Sequence, residues 1–194
     1  MDPENTAKKN YLKFSPKFFL ALVLCLLVRL IPLRAPNVEP ILATMMPMSR
    51  AYGAFMGFSF AVLSILLYDV TTGTLGMQTF FTALSYGILG LWATYYFKKN
   101  KLARRGGANR WGYVRFAIIG TLVFDSLTGL TIGPIFFHQS LFETFVLQIP
   151  FTALHLLGNI TFAFILSPTI YNLLIKKKEN KFASSINILH PKTI

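Results

Sequence analysis

The chain has 194 residues, 54% of them hydrophobic and only 13% charged, with a mean hydropathy of +0.53. So much apolar surface exceeds what a soluble core of this size can bury, which excludes an ordinary soluble domain. Nineteen Lys and Arg against seven Asp and Glu give a net charge of +12. The basic residues cluster at the ends of apolar runs, as in cytoplasmic loops of membrane proteins, and this argues against a nucleic-acid partner.

Five apolar runs occupy residues 18–33, 51–68, 77–97, 116–130 and 145–175, each near the length needed to cross a bilayer. Lys8, Lys9, Lys13 and Lys17 precede the first run and no small-residue cleavage site follows it, so it reads as a retained helix. Ala21 and Cys25 form a shallow small face on this helix; Cys25 is the only cysteine, which excludes an internal disulfide and gives no sign of a metal site. Arg29, Arg34, Asn37 and Glu39 follow at its far end.

Three segments are strongly basic: the N-tail, residues 98–115 and the tail from Lys176. Placing all three in the cytoplasm requires an even number of crossings between each, so residues 40–68 have to cross twice. The break is predicted at Pro47, with Arg50 at the turn, which leaves a short leg at 40–48 rising only ~14 Å. Interrupted segments of this kind line binding sites in transporters. The sequence therefore predicts an all-α polytopic membrane protein of six transmembrane helices, the second one short, with both termini cytoplasmic. Residues 1–17 form the N-tail, 18–175 a single membrane domain and 176–194 a basic C-tail. Seventeen of the nineteen basic residues then lie inside, while Arg29, Arg34, Glu39, Asp69, Asp125 and Glu143 fall at or near the outer face.

A repeat runs through the later segments. "DVTTG" at Asp69–Gly73 and "DSLTG" at Asp125–Gly129 each follow an apolar run, and their aspartates are 56 residues apart. Both read as helix-stopping outer loops in which Gly takes left-handed backbone and Asp and Thr bind local amides. The segments that follow carry Gln78, Thr82, Ser85 and Gln148, Thr152, His155 at matching i, i+4, i+7 positions, offset by 70. The second copy would hold 14 extra residues as an outer loop or short amphipathic helix. In the last segment Thr144, Gln148, Thr152, His155 and Asn159 fall within ~80° of one face, and polar stripes in lipid face the bundle or a cavity. Gly53, Gly57 and Ala61, then Ala83 and Gly87, form small-residue ridges for close helix packing.

No phosphate loop, nucleophile elbow, zinc-protease motif or acidic pair for a divalent cation occurs. An enzyme is not expected; an intramembrane aspartyl or lipid-transferase site using Asp69 and Asp125 is the form one would take. No nucleotide-binding element or cofactor motif is present, so uphill transport would draw energy from ions or from a partner.

The stretch "PILATMMPMSRAYGAFMGFSFAVLSILLYDVTTG", with the closing run "QIPFTALHLLGNITFAFILSPTIYNLL", resembles the substrate-binding S components of energy-coupling factor (ECF) vitamin transporters. The likeness covers residues 16–175 and lies in segment lengths, glycines and topology. It implies a six-helix subunit of a prokaryotic plasma membrane that captures a vitamin-like micronutrient outside. That subunit would dock through helix one onto a membrane T subunit carried by cytoplasmic ATPases. The family's docking motif has two alanines four apart; here Ala21 and Cys25 stand in those places. The candidate ligand-binding set is Arg29, Asn37, Glu39, Asp69, Gln78, Thr82, Asp125, Gln148, Thr152, His155 and Asn159, with Arg29 or Arg34 meeting an anionic or zwitterionic group. The alternative is a scaffolding membrane protein whose polar stripes serve helix packing alone.

Overall fold

The computed structural model describes residues 15–32, 37–100 and 109–189, with side chains through residue 174. Lys8, Lys9, Lys13, Arg34, the basic residues within 101–108 and the side chains of the tail from Lys176 lie outside the described residues. Among the described residues there are six α-helices and no strand: α1 Pro16–Arg29, α2 Ile41–Tyr52, α3 Ala54–Thr72, α4 Met77–Lys99, α5 Arg110–Phe137 and α6 Leu141–Leu189. Three stretches are long and apolar enough to cross a membrane: Ala54–Thr72, Arg110–Phe137 and Leu141–Leu174. Large apolar side chains cover the outward faces, among them Leu20, Leu24, Phe80, Leu84, Phe142 and Phe145. Such a coat suits lipid and would drive association in water.

Local chemistry sets the helix ends. Ser15 caps α1 by accepting from the Phe18 amide at 3.3 Å, and Pro16 fills a first-turn position whose N–H needs no partner. α1 buries Phe18, Leu22, Cys25 and Arg29, and Ala21 packs against the same core. The small face of α1 thus points into the chain's own bundle. Its open face is the large apolar one of Phe19, Leu20, Val23, Leu24 and Leu27.

α2 is the centre of the molecule. Every residue from Ile41 to Ser49 is buried, and the helix touches all five others. The expected break at Pro47 does not occur: α2 runs through it and ends at Gly53, whose φ of 95° is the conformation that favours glycine. The reason lies in a distant residue. Pro47 cannot donate to the carbonyl of Ala43, four residues back, and the Ser167 hydroxyl of α6 donates to that carbonyl at 2.7 Å instead. With the orphan acceptor satisfied, the helix has no need to open.

α3 and α4 form one tight hairpin and α5 and α6 another, both packed around α2. A Cβ on Gly90 would stand 2.6 Å from the Gly57 carbonyl group, so these two backbones meet directly. Across that contact the Ser49 hydroxyl donates to the Gly90 carbonyl at 3.0 Å, and Thr94 donates to the Ser49 carbonyl at 3.1 Å. The ridge read from Gly57, Ala61, Ala83 and Gly87 is buried as expected, whereas Gly53 serves the turn.

The two Asp-containing motifs have different fates. The first is a helix stop: Gly73 has φ 71°, and the amide of Thr74 donates to the Asp69 carbonyl at 2.9 Å. The second is no stop at all, contrary to expectation. α5 continues through Asp125 and Gly129 to Phe137, and neither Gly129 nor Gly133 has positive φ. This extension absorbs the extra residues of the second copy, with residues 138–140 making the turn into α6.

Charge sorts to one end of the bundle. Lys17 donates to the carbonyls of Leu173 and Leu174 at 2.8 and 3.1 Å. Arg50 donates to the Tyr113 hydroxyl at 3.3 Å and lies over the Tyr171 ring at 4.1 Å. Lys98 and Lys99 end α4 and Arg110 begins α5 at this same end. Arg29, Glu39 and Asp69 lie at the opposite end.

Candidate ligand-binding site

At that opposite end a cavity of about 450 Å³ opens among α1, α3, α4, α5, α6 and the α1–α2 and α5–α6 connections. Seven of the expected residues line it: Arg29, Asn37, Glu39, Asp69, Thr82, Gln148 and His155. Asn37 is held at φ 63°, a backbone conformation that Asn tolerates better than most residues.

Arg29 is 6% exposed and makes three contacts within the bundle. Its Nε pairs with Glu39 Oε2 at 2.7 Å, Nη1 donates to the Ser64 carbonyl at 2.7 Å, and the guanidinium lies 3.9 Å above the Tyr68 ring. Asp69 accepts from the Thr79 hydroxyl at 2.6 Å, and Thr79 in turn accepts from the Gly76 amide at 3.1 Å. One carboxylate therefore fixes the first turn of α4 and also edges the cavity.

The deepest wall is a buried chain of three groups. Asp125 Oδ1 lies 2.7 Å from His155 Nδ1, and His155 Nε2 lies 3.2 Å from the Tyr86 hydroxyl. All three residues are 2% exposed. Phe124 and Phe151 set their rings edge-on to the imidazole at 5.6 and 6.1 Å, so the histidine is held in orientation by packing as well as by hydrogen bonds. Tyr86 stacks obliquely on Phe124 at 4.1 Å. Asp125 Oδ2 and Asn159 Oδ1 are buried with no hydrogen-bond partner among the described residues.

The glycines of the second motif now find their use. A Cβ on Gly129 would overlap the Gln148 amide, and one on Gly133 would come within 2.7 Å of the Thr144 hydroxyl. These notches in α5 let polar side chains of α6 lie flat along the cavity wall.

Four expected residues sit elsewhere. Gln78 is exposed and folds back over Gly76. Asp125 stands behind His155; with Gln148 and Thr152 it edges a second cavity of about 330 Å³ between α5 and α6, otherwise mostly apolar. Gln148 donates to Thr152 at 3.3 Å. Asn159 lies deeper, donating to the Thr121 hydroxyl at 2.8 Å, and joins α6 to α5. Residues missed as cavity lining include Tyr86, Phe124, Thr128 and Gln139. Tyr86 was within reach, because it lies four residues beyond Thr82 on the same helical face.

No group of three or more His, Cys, Asp or Glu suited to a metal ion occurs among the described residues. Compared with known proteins, the chain matches no family model, no curated protein and no solved structure.

Proposed function

We propose that the chain is the membrane-embedded substrate-binding subunit of an ECF-type transporter. In this role it captures a vitamin-like micronutrient and hands it on with a T subunit and ATPases. The observation that carries this reading is the cavity itself: five helices and two connections converge polar groups on a volume suited to a small molecule. Polar side chains at membrane depth are costly, and a shared cavity gives them a purpose beyond helix packing. The clustering of Lys17, Arg50, Lys98, Lys99 and Arg110 at one end supports six crossings with the basic end in the cytoplasm and the cavity outside. α1 is short for a crossing at 14 residues and α2 shorter still at 12; in this reading α2 crosses enclosed by its neighbours and α1 with its large apolar face toward lipid.

Purification from its native membrane, with mass spectrometry of extracted small molecules and capture of associated subunits, tests the proposal. The expected result is a bound micronutrient together with a T subunit and ATPases. A chain that binds nothing from a vitamin panel at micromolar concentration, and brings down no such subunits, is a scaffold instead.

A further inference from the structure

Resting on the reading of the cavity as a binding site, we infer that its ligand is an organic cation, a protonated amine or amidinium carried on a planar ring. The first ground is the charge balance. Arg29 is the one Lys or Arg among the described residues lining the cavity, and Glu39, the Ser64 carbonyl and the Tyr68 face already engage it. Glu39 balances its charge, so it offers a ligand no uncompensated positive charge. Asp69 lines the same cavity with a hydroxyl donor but no cationic partner among the described residues. Behind the wall, Asp125 keeps one buried oxygen without a partner among the described residues. Among the described residues lining the cavity, Arg29 and Glu39 balance and Asp69 leaves a negative charge, which in a low-dielectric setting calls for a positive counterpart.

The second ground is the direction of the hydrogen bonds. An ionised carboxylate only accepts, so His155 Nδ1 carries the proton and donates to Asp125. In the ring's neutral form Nε2 then accepts from the Tyr86 hydroxyl, and the phenol, its only proton spent on His155, shows the cavity an acceptor. In that form Tyr86 and Asp69 both accept, which matches a ligand rich in N–H donors. Tyr86 and Phe124 supply aromatic surface for a flat ring and favour a cation over a neutral molecule.

The test uses three probes of one shape: tryptamine, tryptophol and indole-3-acetate, titrated onto the full chain in detergent by calorimetry. Tryptamine is expected to bind at least tenfold more tightly than tryptophol, and indole-3-acetate more weakly than either. In Asp69→Asn the ratio of tryptamine to tryptophol affinity falls about tenfold. This readout distinguishes loss of charge from loss of fold, and thermal unfolding of the variant confirms that the chain is intact. Equal or tighter binding of indole-3-acetate overturns the inference and leaves the binding-site reading standing. An anion extracted from the purified chain has the same meaning. If no molecule is extracted and no probe binds, both readings fall.

Discussion

Replacing Arg29 by Met tests how the cavity rim is held. Met keeps the length and apolar stem but removes three interactions: the 2.7 Å ion pair to Glu39, the 2.7 Å bond to the Ser64 carbonyl, and the contact with Tyr68 at 3.9 Å. A hydrogen bond from a charged group contributes ~1.5–3 kcal/mol, and the cation–aromatic contact ~0.5–2 kcal/mol. Breaking a buried pair from one side costs ~3–5 kcal/mol, because the partner charge is stranded. Glu39 retains some exposure, 18% of its side chain, so we expect the lower part of that range, ~3 kcal/mol. Glu39→Gln keeps an acceptor for Nε and should cost only ~1 kcal/mol. The double variant strands no charge and should be less destabilised than the two single losses combined, by ~1–2 kcal/mol. Equilibrium unfolding in mixed micelles, titrated with SDS, measures all three. Strict additivity, or an Arg29→Met loss below ~0.5 kcal/mol, would refute the view that this arginine is committed to the fold.

Three further outcomes follow from the packing. Gly90→Ala drives a methyl into the Gly57 backbone and should destabilise by ~1–3 kcal/mol, whereas Gly129→Ala displaces only the movable Gln148 amide. Gly129→Ala should therefore leave stability unchanged or raised by up to ~1 kcal/mol, while ligand affinity falls; equal losses in both would contradict the geometry. Ser167→Ala strips the Ala43 carbonyl of its donor and should cost ~1–3 kcal/mol, and adding Pro47→Ala should restore most of it by returning a helical N–H. Failure of that rescue, measured by the same unfolding titration, would show that Ser167 is not what allows Pro47 inside the helix. His155→Phe removes both buried hydrogen bonds and leaves Asp125 without its partner, with an expected loss of ~3–5 kcal/mol that Asp125→Leu in the same chain partly recovers.

The segments, their polar faces and the sorting of charge were legible because they rest on local periodicity and on the cost of placing charge in lipid. Seven of eleven candidate residues reach one cavity for that reason. The misreadings share one cause. At Pro47 the sequence showed a missing donor but not the serine, 120 residues later, that replaces it. At Gly129 it showed a residue able to end a helix but not the Gln148 side chain that needs the space. Asp125 resembled Asp69 in its neighbours, yet lies twelve residues before the end of its helix, paired with a histidine from the next one. A local motif states what a residue permits; which permission is used depends on what packs against it.

Because α2 is enclosed by protein over nearly its whole length, it behaves as a shaft in a bearing rather than as a surface element. Glu39 stands just before one end, within the cavity rim, and Arg50 stands at the other, seated among Phe97, Tyr113 and Tyr171. The helix spans ~18 Å between them, with no lipid or water along most of its length to absorb a displacement. An axial shift at the rim would be carried along α2 to Arg50, which makes this helix a stiff link between the two ends of the bundle.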